Sequence, residues 1–186
     1  MCPCGTLVDA KESHDLSCKH SAGRSIRHHQ LNDLIWRALT RASIPSVKES
    51  AALSCTDGKR PDGLSRIPWQ GGKCPTWDVT VANSLAATCL CEHDSWQCHR
   101  RSCFKEGQQI LIAQSHVFVP LAIETLGPPI NCKGLKLISE LSDRLTAATD
   151  DPREASFLFQ RISIIIQRFN AVCFQGTFTQ HEEVEF

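Results

Sequence analysis

The 186-residue chain has no tyrosine, a single methionine and no net charge, its 20 Lys and Arg balancing 20 Asp and Glu. Without tyrosine, no site in it can use a phenol hydroxyl. It contains no run of eighteen apolar residues, which excludes a helical membrane span. The opening residues, Met1-Cys2-Pro3-Cys4-Gly5, form neither a basic cluster nor an apolar stretch, so the chain is expected not to be secreted. Neutrality also argues against a uniformly cationic surface. What the chain does have is cysteine: eleven of them, which in an intracellular protein read as reduced thiols or metal ligands rather than disulfides. Hydrophobic residues make up 41% and charged residues 22%, enough to bury the core of one domain.

The charge is unevenly spread. Residues 1–105 hold fourteen Lys/Arg against ten Asp/Glu, and residues 106–186 hold six against ten. The densest basic stretch runs from Lys19 to Lys48, where Arg24, Arg27, Arg37 and Arg41 are opposed only by Asp33 and are joined by His20, His28 and His29. A basic face of this kind is compatible with phosphate contact, and equally with an ordinary solvated helix surface.

Periodicity predicts a helix over residues 28–42, with Leu31, Leu34, Ile35, Ala38 and Ala42 on one face. Short strands are expected at 46–53 and 62–68, and Gln70-Gly71-Gly72-Lys73 reads as a hairpin turn. Trp77, Val79 and Val81 alternate with Asp78 and Thr80, which predicts a central strand at 76–81, and a fourth strand is expected at 117–126. Helices are expected at 135–148 and from Pro152 to about residue 174, the last with Leu158, Ile162, Ile165, Phe169 and Val172 inward. Residues 89–109 have no clean period. The pattern is α/β or α+β, a small mixed sheet flanked by helices.

Two constellations carry chemistry. Cys2, Cys4, His14 and Cys18 offer three thiolates and an imidazole, a donor set that suits tetrahedral Zn²⁺, with His20 as a substitute ligand. The other is acidic. Asp62 follows Pro61 in a turn, and Asp78 interrupts an apolar strand, where an acid is unfavourable without a partner or a metal. Together with Glu49 they offer the hard oxygen ligands that Mg²⁺ or Mn²⁺ prefers, an arrangement that can hold a divalent metal against a phosphodiester. The bland reading of Asp62 is a turn residue.

The segments Cys2-Pro3-Cys4-Gly5, His14-Asp15-Leu16-Ser17-Cys18, Arg27-His28, Leu31-Asn32-Asp33, Asp57–Gly63, Trp77–Val81, 118–127 and Gln160-Arg161-Ile162-Ser163 occur in an order and spacing that resembles a known group. It is the C-terminal restriction-like endonuclease region of non-LTR retrotransposon polyproteins, of the PD-(D/E)XK type with a Cys-Cys-His-Cys knuckle. The resemblance implies a restriction-endonuclease-like fold, with a knuckle at 1–26, the nuclease domain at 27–178 and an acidic tail at 179–186. It implies Asp62 and Asp78 as metal-binding catalytic acids, Glu49 as the assisting acid, and Arg24, Arg27, Arg37 and Arg41 on the DNA backbone. It further implies an upstream reverse transcriptase in the same polyprotein and a nuclear location. Two departures stand out. Thr80 occupies the place of the lysine two residues after the second acid. The Lys-Tyr pair of the retrotransposon type falls near Gln108-Gln109, with Lys105 the nearest lysine to hold the attacking water or phosphate. Residues 89–109 are accordingly expected to derive from a shifted reading frame or a decayed copy, which the coding DNA read in all three frames would test. Three readings stand side by side: an active DNA endonuclease, a decayed copy that binds nucleic acid without cutting, and a zinc-stabilised interaction module.

Overall fold

The computed structural model describes residues 2, 4–6, 14, 16, 18, 20–49, 60–69, 71–82, 116–127 and 130–176. In chain order these form α1 (Ala22–Arg41), β1 (Ser46–Lys48), β2 (Gly63–Ser65), β3 (Cys74–Ala82), β4 (His116–Glu124), α2 (Cys132–Thr149) and α3 (Glu154–Gln175). The strands make one mixed sheet in the order β1-β2-β3-β4. β1, β2 and β3 pair antiparallel, whereas β3 and β4 run parallel along nine residues, from Cys74↔His116 to Ala82↔Glu124. A parallel pair needs a crossover connection, and here it falls on residues outside those described.

Strand alternation decides where the core lies. Trp77 and Val79 on β3 stand beside Leu121 and Ile123 on β4, and all four are buried. The helices close over them with Leu31, Ile35 and Leu39 of α1, Leu137, Ile138, Leu141 and Leu145 of α2, and Leu158, Ile162 and Ile166 of α3. The protein is thus a mixed α/β structure with its helices packed on the sheet. Among the described residues, no helix is long and apolar enough to cross a membrane.

The elements expected from sequence are present, with shifted bounds. α1 starts six residues earlier than its apolar period, so the boundary drawn at 26 falls inside a helix. β1 is three residues long, not eight, and Glu49 directly after it has the left-handed φ of 47°. β2 is equally short, and Asp62 precedes it rather than lying within it. The inward face of α3 follows Leu158 and Ile162 as expected, then turns to Ile166, Asn170 and Cys173, leaving Ile165, Phe169 and Val172 half-buried or partly exposed.

That rotation has a cause. Two of the buried α3 positions are polar, Glu154 and Asn170, and each meets an arginine of α1. Arg41 donates to the Glu154 carboxylate, and Arg27 donates to Asn170 Oδ1. The two contacts are 14 residues apart on α1 and 16 on α3, about 21 and 24 Å of helix, so they pin the antiparallel pair at both ends.

Gly63 is needed where it stands. A Cβ there would lie 2.0 Å from the ring of Trp77, whose indole fills the core. The hairpin joining β2 to β3 turns on Gly71 and Gly72, with φ of 56° and 73°, and closes with the Trp69 N–H donating to Lys73 O at 2.9 Å.

Candidate functional site

Two sites emerge, both built against α1. Before its N-terminus, Cys2, Cys4, His14 and Cys18 bring one ligand atom each to within 4.8 Å of the others. Cys2 Sγ and Cys18 Sγ are 3.6 Å apart, and Cys4 Sγ is 3.1 Å from His14 Nε2. A tetrahedral zinc with ordinary bond lengths separates two sulfurs by about 3.8 Å and a sulfur from a nitrogen by about 3.6 Å. Those two spacings lie within about half an ångström of the tetrahedral values, and the donor set suits a zinc ion. Cys2 and Cys18 are buried and all four positions are supplied by protein, the closed arrangement of a structural site. His20, the substitute ligand, is exposed and is not part of the group.

The local fold explains why the tight Cys2–Cys4 spacing works. Gly5 takes a left-handed φ of 85° and donates to Cys2 O at 2.8 Å, so the chain reverses within one turn and both sulfurs face inward. On the other side, the Cys18 N–H donates to His14 O at 2.7 Å, a single helical turn that stacks those two ligands. Hydrogen bonds with the side chain and backbone of Thr6 hold the Cys4 thiol down at about 6. At Cys2 a hydrogen bond with the Cys4 backbone pulls the thiol down, but burial and the neighbouring Cys4 and Cys18 sulfurs push it up to about 11. Without metal the cluster thus pairs a thiolate at Cys4 with a protonated thiol at Cys2, and metal binding must release protons.

The acidic site lies where β1, β2 and β3 meet the middle of α1, and its hub is Asp62. Asp62 Oδ2 accepts from the Val79 backbone N–H at 2.6 Å and is bonded to His28 Nε2 at 3.0 Å. Its backbone oxygen accepts from the Glu49 N–H at 3.0 Å and from Asn32 Nδ2 at 3.2 Å. Asn32 in turn accepts the buried Trp77 indole N–H at 2.9 Å. Asp62 therefore ties together α1, β1, β2 and β3. The hydrogen bond to Asp62 pushes the His28 pKa above its ordinary value; burial opposes this, and the charges of Asp62, Asp78 and Glu49 add to it.

The three acids are not gathered as the Cys/His donors are. Among the described residues the Cys/His tetrad is the one group found of three or more His, Cys, Asp or Glu donors meeting within 4.8 Å. Glu49 is half-exposed and paired with Arg60 at 3.0 Å, which holds it back from such a set. Asp78 lies on β3, one residue before the amide that binds Asp62.

Of the arginines expected on DNA, one is corrected. Arg27 is 2% exposed, donating to Asn170 and, at 3.1 Å, to Leu16 O between His14 and Cys18 of the Cys/His group. Burial pushes its pKa down and removes it from any phosphate; its role is to tie the knuckle and α3 to α1. Arg41 is committed to buried Glu154. Arg37 is exposed and bonds Asp33 at 2.6 Å, while Arg24 is exposed on the first turn of α1. Lys105, together with residues 89–109, lies outside the described residues.

Sequence reasoning missed His28 and Asn32. The signal was there: positions 28, 32, 35 and 39 form one helical stripe, in which two polar residues replace apolar ones on a face otherwise directed at the core. No protein-family model matches the chain, and no curated protein matches it.

Proposed function

We propose that the chain is a DNA endonuclease domain of the restriction-endonuclease-like class, derived from a retrotransposon polyprotein, that nicks DNA by phosphodiester hydrolysis. The observation that carries this reading is Asp62 at the junction of three strands, its Oδ2 held by the Val79 N–H and His28, with Asp78 on β3 one residue before Val79. The Asp62 Oδ1 oxygen takes no hydrogen bond among the described residues, so one carboxylate oxygen of the hub is left for a cation. Asp62 and Asp78 would hold Mg²⁺ or Mn²⁺, with Glu49 assisting. A bound divalent ion supplies an activated water and stabilises charge developing on the phosphoryl oxygens. Arg24 and Arg37 contact the backbone and set the position of the strand. The same reading brings with it DNA as substrate, an upstream reverse transcriptase and a nuclear location. It does not depend on Lys105. Nicking of supercoiled plasmid in Mn²⁺ or Mg²⁺, lost in Asp62→Ala and in Asp78→Ala, is the expected result; nicking that survives in both variants rejects the site.

A second reading has its own observation. Both donors on Asp62 Oδ2 are internal, and Thr80 stands where the resemblance calls for lysine. A decayed copy that binds DNA without cutting it accounts for both. It predicts salt-sensitive DNA binding with no nicks in any divalent metal.

A further inference from the structure

The carboxylate that the proposed reaction needs most is gripped from one side by one helix. His28 and Asn32 are four residues apart on α1, so both project toward the same place. His28 Nε2 bonds the side-chain Oδ2 of Asp62, and Asn32 Nδ2 bonds its backbone oxygen. Asn32 is itself fixed by the indole of Trp77, which is fully buried. The Val79 N–H completes the grip on Oδ2 from the sheet. Side chain and main chain of Asp62 are thus held from two directions, and only Oδ1 is left without a hydrogen bond among the described residues.

We infer that His28 is a positioning residue, which through its bond to Asp62 Oδ2 fixes the carboxylate plane and directs Oδ1 at a divalent cation. This rests on the metal-site reading of Asp62. The physical reason is general: a free carboxylate must lose rotational freedom when it ligates, and a partner on its second oxygen removes that freedom in advance. Partners of this kind are worth about ten- to a hundredfold in metal affinity. A merely structural His28, fastening α1 to the sheet, would change stability but not affinity for a cation.

The test is Mn²⁺ binding to the full zinc-loaded chain, followed by electron paramagnetic resonance, in wild type, His28→Ala, His28→Gln and Asp62→Ala. The His28 side chain is about one-third exposed on a helix, and alanine is the best helix former, so His28→Ala is compatible with the fold. The expected result is about a tenfold weaker Mn²⁺ affinity in His28→Ala, with most of it recovered in His28→Gln, whose amide N–H can reach the same oxygen. Equal affinity in wild type and His28→Ala overturns the proposal. So does an equal loss in His28→Ala and His28→Gln, which would make the imidazole itself the ligand. Mn²⁺ binding unchanged in Asp62→Ala, or absent from wild type, rejects the metal site itself and the positioning role with it.

Discussion

Asp62 and Arg27 show how differently two polar residues can be placed by one fold. In sequence Asp62 was expected to bind a metal and Arg27 to contact the DNA backbone. Arg27 is buried and serves the interior, so its removal leaves Asn170 Oδ1 and Leu16 O without their donor. Arg27→Ala should cost about 3 kcal/mol in thermal or denaturant unfolding, whereas Arg24→Ala should stay within about 0.5 kcal/mol. Asp62 is tied at its backbone and at one side-chain oxygen. Its partner His28 has a pKa raised by that bond, so the pair's stabilisation is fully present below the ordinary histidine value and is lost as pH rises through the raised one. In metal-free buffer, proton resonances of the His28 ring should titrate above the ordinary range, and in Asp62→Asn they should move back toward it; an unchanged midpoint would contradict the pairing. None of this was readable residue by residue. An arginine seven positions before a periodic Leu34 and a histidine beside it look alike until the second helix and the sheet are in place.

The elements were the most legible level, because their signals are local. The 3.6-residue period marked all three helices, and alternation around Asp78 marked β3. The short strands were harder, since β1 and β2 pair over three residues each and no period can be read from three. Gly63 is the telling case. In sequence it falls inside the strand expected at 62–68 with no sign of why it must be glycine; it is the first residue of β2 and is small because Trp77 lies beneath it. Gly63→Ala should destabilise by at least about 3 kcal/mol, as overpacking against an aromatic ring that cannot move aside. Gly72→Ala meets open space and bears only the left-handed backbone, about 1 kcal/mol. Paired unfolding curves of the two variants check the contrast, and equal losses would mean that β2 does not seat on Trp77. The inward face of α3 was misjudged for a related reason: Glu154 and Asn170 are buried against arginines, and a search for apolar residues passes over polar ones with partners.

For the whole molecule, the knuckle and the helical layer act as one piece, joined by the bond from Arg27 to Leu16. Zinc at Cys2, Cys4, His14 and Cys18 should therefore stabilise more than the first eighteen residues. Purified protein should carry about one zinc per chain, and chelation or Cys18→Ser should lower the melting temperature of the body, seen in the far-ultraviolet signal of α1 and α3. A melt unaffected by zinc removal would show the knuckle to be independent. The four ligands were legible because thiols and imidazoles have few other reasons to cluster. The acidic site was only half legible: Asp62 and Asp78 stood out, but the helix that grips Asp62 comes from thirty residues upstream, and only the tertiary fold brings it there. The most direct measurement of the central claim is binding and cleavage of one labelled DNA duplex by wild type and Asp62→Asn, in Ca²⁺ and then in Mn²⁺. The account predicts that both proteins bind and that only wild type cuts, in Mn²⁺; cleavage by Asp62→Asn at the wild-type rate, or none by either protein, would contradict it.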